Sequence, residues 1–317
     1  MTNAIKLNNM DKIEALIKAG AMFAVSHSGG KDSQAMYIAL SAVIPAEQIV
    51  VIHADLGEVE WQTAQDHINA TISHPLHIAT AIYKDGSNKG ILDMVLRRWV
   101  YLLDKHARIN AEIASGKEVN AADRRMASLP VPAPWFSSTT RFCTSDGKRD
   151  PIAKVFKRLA KERGDTIVVN CTGIRSDEST ARSNKIPFEV NKRASSNDRA
   201  VYNWMPIFDM TTEDVFTCIK EAGQKPHAMY AKGMSRFSCC FCFMARKADL
   251  TIAAREACPK LYAKYVAIER VTGFTMIGKK SLEAITGIPA DAALIAAAIA
   301  EIEAQGYTTQ ADEAKAA

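Results

Sequence analysis

The residues best suited to chemistry come early in the chain, in Ser28-Gly29-Gly30-Lys31-Asp32-Ser33. They separate an apolar run, Ala21 to Ser26, from Gln34 to Leu40, which has the composition of a buried helix. At a strand-to-helix junction, free backbone N–H groups and the positive end of the helix dipole favour an anion. The two glycines let the backbone approach a phosphate, and Lys31 adds charge. The pattern differs from the GxxxxGK[ST] phosphate loop, because one glycine pair precedes the lysine and no four-residue spacer intervenes.

A second constellation is Gly173-Ile174-Arg175-Ser176-Asp177-Glu178-Ser179-Thr180-Ala181-Arg182, which follows a segment of strong β-propensity, Thr166 to Thr172. Gly173 permits a tight turn and close backbone approach. Arg175 and Arg182 can grip phosphate or sulfate through a planar fork, and Glu178 can orient one of them or bind a metal. The same spacing also suits a surface ion-pair network.

Cysteines form the third. Cys239-Cys240-Phe241-Cys242 contains a Cys-x-x-Cys pair, Cys143 lies in Arg141-Phe142-Cys143-Thr144, and Cys258 or Cys240 can complete a set of four. Thiolates in that number suit an iron–sulfur cluster or zinc, and ligand type alone does not separate the two. Cys171 and Cys218 fall in an expected strand and helix and read as core. His27 and His53 flank the first loop, and Trp135, Phe136 and Trp204 are aromatic candidates for stacking on a base. For all five, structural packing is the simpler reading.

These residues must be positioned by elements that alternate. An amphipathic helix over Asp11 to Ala19 ends at Gly20, and the strand Ala21 to Ser26 leads through the loop into the helix Gln34 to Leu40. A strand over Gln48 to His53 ends at Ala54-Asp55-Leu56-Gly57, followed by a helix over about 59–73 and strands over Leu76 to Thr80 and Thr166 to Thr172. The alternation predicts an α/β fold with a doubly wound parallel sheet, whose ligands sit at the carboxyl ends of the strands. Residues 104–135, ending in Pro130-Val131-Pro132-Ala133-Pro134, read as a polar, basic excursion or lid, and 183–200 as a second mobile loop. The reading places one domain over 1–245, with the insertion at about 104–135, and a helical appendage over 246–317 with an Ala-rich helix capped by Pro289 and a disordered tail after Tyr307.

Composition sets the bounds. At 317 residues, 48% hydrophobic and 24% charged, the chain is long enough for a full core and is not a disordered or fibrous protein. The longest apolar run, Ala292 to Ala300, is far short of a membrane span, and the absence of a signal-peptide pattern leads to the expectation of a cytoplasmic protein. Residues 141–163 hold eight Lys/Arg against three Asp/Glu, an excess equal to the net charge of +5 of the whole chain. That segment, with Arg124 and Arg125, points to an anionic partner.

Taken together, these motifs resemble the N-type ATP pyrophosphatases and the related phosphoadenosine phosphosulfate (PAPS) reductase superfamily. Ser28 to Ser33 is similar to the family's pyrophosphate loop, His53-Ala54-Asp55-Leu56-Gly57 to its second strand end, and Gly173 to Arg182 to its GxRxxESxxR element. Trp204-Met205-Pro206-Ile207, Thr212-Glu213-Asp214-Val215, Tyr230-Ala231-Lys232-Gly233 and Ser235-Arg236 resemble the succession that follows, except that Met210 stands in place of a tryptophan. The likeness runs in order over about residues 20–270.

The resemblance implies the HUP-like adenine nucleotide alpha hydrolase fold. It also implies an enzyme that cleaves ATP to release pyrophosphate and adenylate an acceptor for sulfur or nitrogen transfer, like the DNA phosphorothioation enzyme. Ser28, Gly29, Gly30, Lys31, Asp32, Ser33, Asp55, Gly173 and Glu178 would bind nucleotide and Mg2+, and Lys31, Asp32, Arg175 and Arg182 would serve catalysis. Cys143, Cys239, Cys242 and Cys258, with Cys240 as the alternative fourth ligand, would hold a 4Fe-4S cluster, zinc being the alternative metal. The implied partners are a nucleotide, a tRNA or DNA acceptor and a sulfur-donor protein. A PAPS or adenylyl-sulfate reductase is the alternative. The intact Lys31-Asp32 pair and the absence of a cysteine after Cys258 weigh against it. A non-catalytic nucleic-acid-binding protein is a further alternative, resting on the basic segments.

Overall fold

The computed structural model describes residues 7–307. Six strands, β1 (Met22–Ser26), β2 (Ile49–Asp55), β3 (Leu76–Thr80), β4 (Ile167–Cys171), β5 (Phe188–Val190) and β6 (Ala200–Trp204), form one sheet in the order β3-β2-β1-β4-β6-β5. Neighbours are parallel except β5, which runs antiparallel to β6. The central strand β1 is buried from Met22 to Val25, the near-continuous apolar run required when both faces of a parallel sheet are covered. Successive side chains point to opposite faces. Phe23, Val25, Val51, Val169 and Cys171 pack with Met36, Leu40, Val215 and Ile219 on one side, and Met22, Ala24, Ile52, Val168 and Val201 pack with Phe156, Leu159 and Ala160 on the other. Helices on both faces of a mostly parallel sheet make this a doubly wound α/β fold.

The strand order positions the site. From β1 the chain winds outward through β2 to β3, then returns to lay β4 on the opposite edge of β1 and winds the other way to β6. The connections after β1 and β4 therefore diverge at the carboxyl ends of adjacent strands, the switch point where such sheets bind ligands. The Gly-Gly-Lys loop follows β1, and the Gly173–Arg182 element follows β4.

The chain forms two compact units, each assembled from separate stretches: one from residues up to 56, 60–88 and 144–239, the other from 57–59, 89–143 and 240 onward. The sequence reading drew a single boundary at 245. It also took 104–135 for a surface excursion, whereas a helix spans Ile91–Ala114 and another Ala121–Ala127. Leu92, Val95, Leu96, Trp99, Leu102 and Ile109 are buried on the longer helix at helical spacing, a stripe that the intervening charges obscure. In this second unit the helix Pro259–Thr272 packs against the helix Ala292–Ala304, which Asp291 caps through Leu294 N–H, and buried Glu269 accepts the amides of Met276 and Leu282. The expected loop 183–200 carries β5, and β6 follows it; strands this short leave little periodicity to read. The expected tail after Tyr307 lies outside the described residues.

Candidate functional site

In the sheet-bearing unit, the loop after β1 bends at Gly29 (φ 75°), where a side chain is strained and a Cβ would also stand 3.1 Å from the Phe237 ring. Gly30 is the residue before the helix Lys31–Ser41, whose first-turn donors face the loop. The loop is tied internally: Ser28 N–H donates to Ser33 Oγ at 3.1 Å, Ser33 Oγ donates to Gly30 O at 2.9 Å, and Gly29 N–H donates to His27 Nδ1 at 3.2 Å.

Lys31 is buried, and its Nζ lies 3.0 Å from Asp32 Oδ2 and 5.7 Å from the centre of the Tyr230 ring. The other oxygen of Asp32, Oδ1, accepts Arg175 Nε at 2.7 Å. Arg175 Nη1 donates to Asp177 Oδ1 at 2.5 Å and to Met210 O at 3.0 Å, while Nη2 donates to Thr212 Oγ1 at 3.1 Å. Burial works against the charge of this guanidinium, but Asp32 and Asp177 outweigh it and raise the Arg175 pKa. All three guanidinium nitrogens of Arg175 thus donate to protein groups, and their geometric effect is to fix Asp32.

The two elements meet at Gly173: a Cβ there would lie 3.0 Å from the Asp32 carbonyl oxygen and 3.2 Å from Ser33 N. Glu178 accepts Arg175 N–H through Oε2 at 3.1 Å, and the same oxygen pairs with Arg182 Nη1. Lys31, Asp32, Gly173 and Arg175 therefore form one cluster, with Glu178 and Arg182 linked to it through the Arg175 backbone. Asp55 ends β2, one strand away from the loop.

Histidines support this arrangement. His27 is fully buried, and burial, with the neighbouring imidazoles of His53 and His67, lowers its pKa to about 3. It stays neutral and accepts the Gly29 amide. His53 Nδ1 donates to His27 O at 2.9 Å, and its Nε2 lies 3.0 Å from Glu60 Oε2. Burial opposes protonation of His53, yet Glu60 raises its pKa. His227, held near 4 by burial and His67, packs on Phe237 at 4.0 Å, and Phe237 stacks on Trp61 at 6.3 Å. Sequence reasoning quoted Tyr230 only as part of a motif and missed Phe237, His227 and Trp61; a lone aromatic after Arg236 carries no spacing signal.

In the helical unit, Phe142, which precedes Cys143, lies 4.5 Å from Phe136, and Phe243, which follows Cys242, lies 6.0 Å from it. Phe241 stacks on Tyr262 at 5.2 Å, within the helix whose N-cap is Cys258. Trp135, Phe136 and Trp204 are all buried, Trp135 stacking on Tyr265 and Trp204 standing edge-on to Phe23. The rings beside Cys143 and Cys242 thus meet at Phe136, Phe241 belongs to a ring group with Tyr262 and Tyr265, and the cysteines have the right chemistry for a soft metal. Among the described residues, however, no group of three or more His, Cys, Asp or Glu is placed so as to hold a metal ion. No step below runs through a metal at these positions.

In doubly wound α/β sheets, a glycine loop at the switch point is where ligands bind. Residues 104–245 match the family model of the phosphoadenosine phosphosulfate reductase domain, consistent with the superfamily that the motifs resemble and with its nucleotide-binding, sulfur-related enzymes. An uncharacterized 37.8 kDa protein of Escherichia phage 186 is 29% identical over 245 residues, covering 71% of this chain and 68% of that protein. A crystal structure of PAPS reductase from Candida auris in complex with phosphate aligns over 75% of this chain and 91% of that one, at 14% identity and a TM-score of 0.39. No helix among the described residues is long and apolar enough to cross a membrane.

Proposed function

We propose that this chain binds ATP with its phosphates at Ser28 to Ser33, cleaves the α–β bond to release pyrophosphate, and so adenylates an acceptor for sulfur or nitrogen transfer. The observation that carries the reading is the intact Lys31-Asp32 pair on a glycine turn at the switch point, packed directly against Gly173. Lys31 and the helix N-terminus would stabilise charge on the departing pyrophosphate. Magnesium, when bound, would neutralise phosphate oxygens. Asp32, which Lys31 and Arg175 hold in place, and Asp55 are the candidate carboxylates for it. Arg182 and the backbone after Gly173 would face the α-phosphate or acceptor, with Arg175 holding Asp32 in register. The cytoplasmic setting, a sulfur-donor protein and a cluster on Cys143, Cys239, Cys242 and Cys258 (or Cys240), with zinc as the alternative, belong to the same proposal and rest on residue types and resemblance.

The nucleic-acid reading draws less support from the charges than their count implies. In the basic segment Arg149 pairs with Asp150, Arg158 with Glu162 and Arg163 with Asp165. Lys154, Lys157 and Lys161 remain along one side of the helix Asp150–Arg163, enough for a tRNA or DNA acceptor to rest on and little for tight binding. Calorimetric titration with Mg-ATP, PAPS and adenylyl sulfate tests the proposal. Tightest binding of ATP, lost in Lys31→Ala, supports it; tightest binding of a sulfonucleotide replaces it with a reductase.

A further inference from the structure

The first amide of the loop helix already has a partner. Lys31 N–H donates to Tyr230 Oη at 3.0 Å, and the Phe237 backbone lies near enough to the same oxygen to work against the rise in its pKa. A phenol oxygen has two lone pairs and one proton. With one lone pair taken by the Lys31 amide, the phenol proton is turned away from that N–H and can donate to a further group. Its hydroxyl stands at the centre of the glycine turn, 3.4 Å from where a Gly30 Cβ would be, and its ring is fixed by Phe216 at 5.7 Å and Phe237 at 6.4 Å. Since the Ser28 and Gly29 amides also turn inward, to Ser33 Oγ and His27 Nδ1, three of the loop's backbone donors are withheld from direct use.

We propose that the Tyr230 O–H is an anion-binding donor of this site, standing in for the Lys31 amide and passing the polarisation of the helix N-terminus to a phosphoryl oxygen. An N–H donor on the hydroxyl oxygen polarises its O–H and strengthens its donation. Burial raises the Tyr230 pKa, so the proton stays in place at neutral pH. An acceptor-only partner such as a pyrophosphate oxygen matches this geometry. The inference rests on the loop being the phosphate site, as proposed above.

The test is calorimetric titration of the full chain with inorganic pyrophosphate, comparing wild type, Tyr230→Phe and a protein carrying 3-fluorotyrosine at position 230. Tyr230→Phe should bind about tenfold more weakly, the typical loss for a hydrogen bond to a charged group. The fluorinated phenol is a stronger donor and a weaker acceptor, so at pH 7 it should bind pyrophosphate more tightly. A merely structural clamp predicts the opposite sign, because the tie to Lys31 would loosen. Unchanged affinity in Tyr230→Phe, or equal or weaker affinity with the fluorinated residue, overturns the proposal. If Tyr230→Phe does not fold, the sign from the fluorinated protein decides alone. A wild-type chain that binds no pyrophosphate overturns the loop reading itself, and the inference with it.

Discussion

Arg175 closes on Asp32 from the neighbouring strand's loop, Nε to Oδ1 at 2.7 Å, while Asp32 turns its other oxygen to Lys31 at 3.0 Å. The pair joins the loop after β1 to the element after β4. With further guanidinium donors on Asp177, Met210 O and Thr212, removing Arg175 takes one of its two cations from Asp32 and the guanidinium from Asp177. Arg175→Ala should lower the unfolding free energy by about 3 kcal/mol or more, the usual loss when one member of a buried pair is deleted. Arg175→Lys keeps the charge but cannot span the same acceptors and should recover only part. Urea unfolding separates this from a direct phosphate clamp, which would leave stability intact and reduce ligand affinity alone.

The contact at Gly173 gives a second test. Its missing side chain lets the backbone sit where a Cβ would be 3.0 Å from the Asp32 carbonyl oxygen, and backbone cannot swing aside as a flexible side chain can. Gly173→Ala should cost about 1–3 kcal/mol as overpacking and displace the start of the loop helix. Nucleotide binding should fall with it. A variant of wild-type stability and affinity would mean that the two elements move independently.

Much of this arrangement is legible in the sequence because the relevant signals are local. Gly-Gly-Lys-Asp-Ser between an apolar run and a helix, and Gly-x-Arg after a β-rich run, each announce a strand end, and the alternation of elements puts both at one edge of a parallel sheet. What the Arg175 fork holds is not legible, because Asp32 lies 143 positions away and only the fold brings it near. The second unit is hidden for a similar reason: the buried stripe from Leu92 to Ile109 is interrupted by charges that suggest a surface excursion, and one helix it packs against, Pro259–Thr272, comes about 150 positions later. Short strands such as β5 carry too few residues for alternation to show.

The cysteines should divide by reactivity. Cys171 is fully buried on β4 and its thiol pKa is pushed far above the usual range; burial and Glu221 push Cys218 up to about 11. Neither forms thiolate at neutral pH, so both should resist iodoacetamide in the native protein. In metal-free protein, Cys258, partly exposed at a helix N-cap, should alkylate first. Mass spectrometry after brief labelling checks the order. If the proposed cluster is present, protein purified without oxygen should contain iron and sulfide and label at Cys143, Cys239, Cys242 and Cys258 only after the iron is removed.

Acid should weaken the protein partly through His27. Its pKa falls from 6.5 unfolded to about 3 folded, so between those values the unfolded chain holds a proton that the folded chain does not. Stability therefore rises with pH across this window and is lost as pH drops from about 6.5 towards 3. Asn at this position can still accept the Gly29 amide through its side-chain oxygen and does not titrate. Between pH 7 and pH 4.5, wild type should lose about 2 kcal/mol more than His27→Asn in urea unfolding. His227, lowered to about 4, leaves a residual slope of the same sign in the variant. His53 works the other way, since its raised pKa adds stability below 6.5 that disappears as pH rises through the folded value. Equal acid losses in wild type and His27→Asn would show that His27 becomes protonated without unfolding, and the Gly29 amide would then have lost its acceptor in the folded loop.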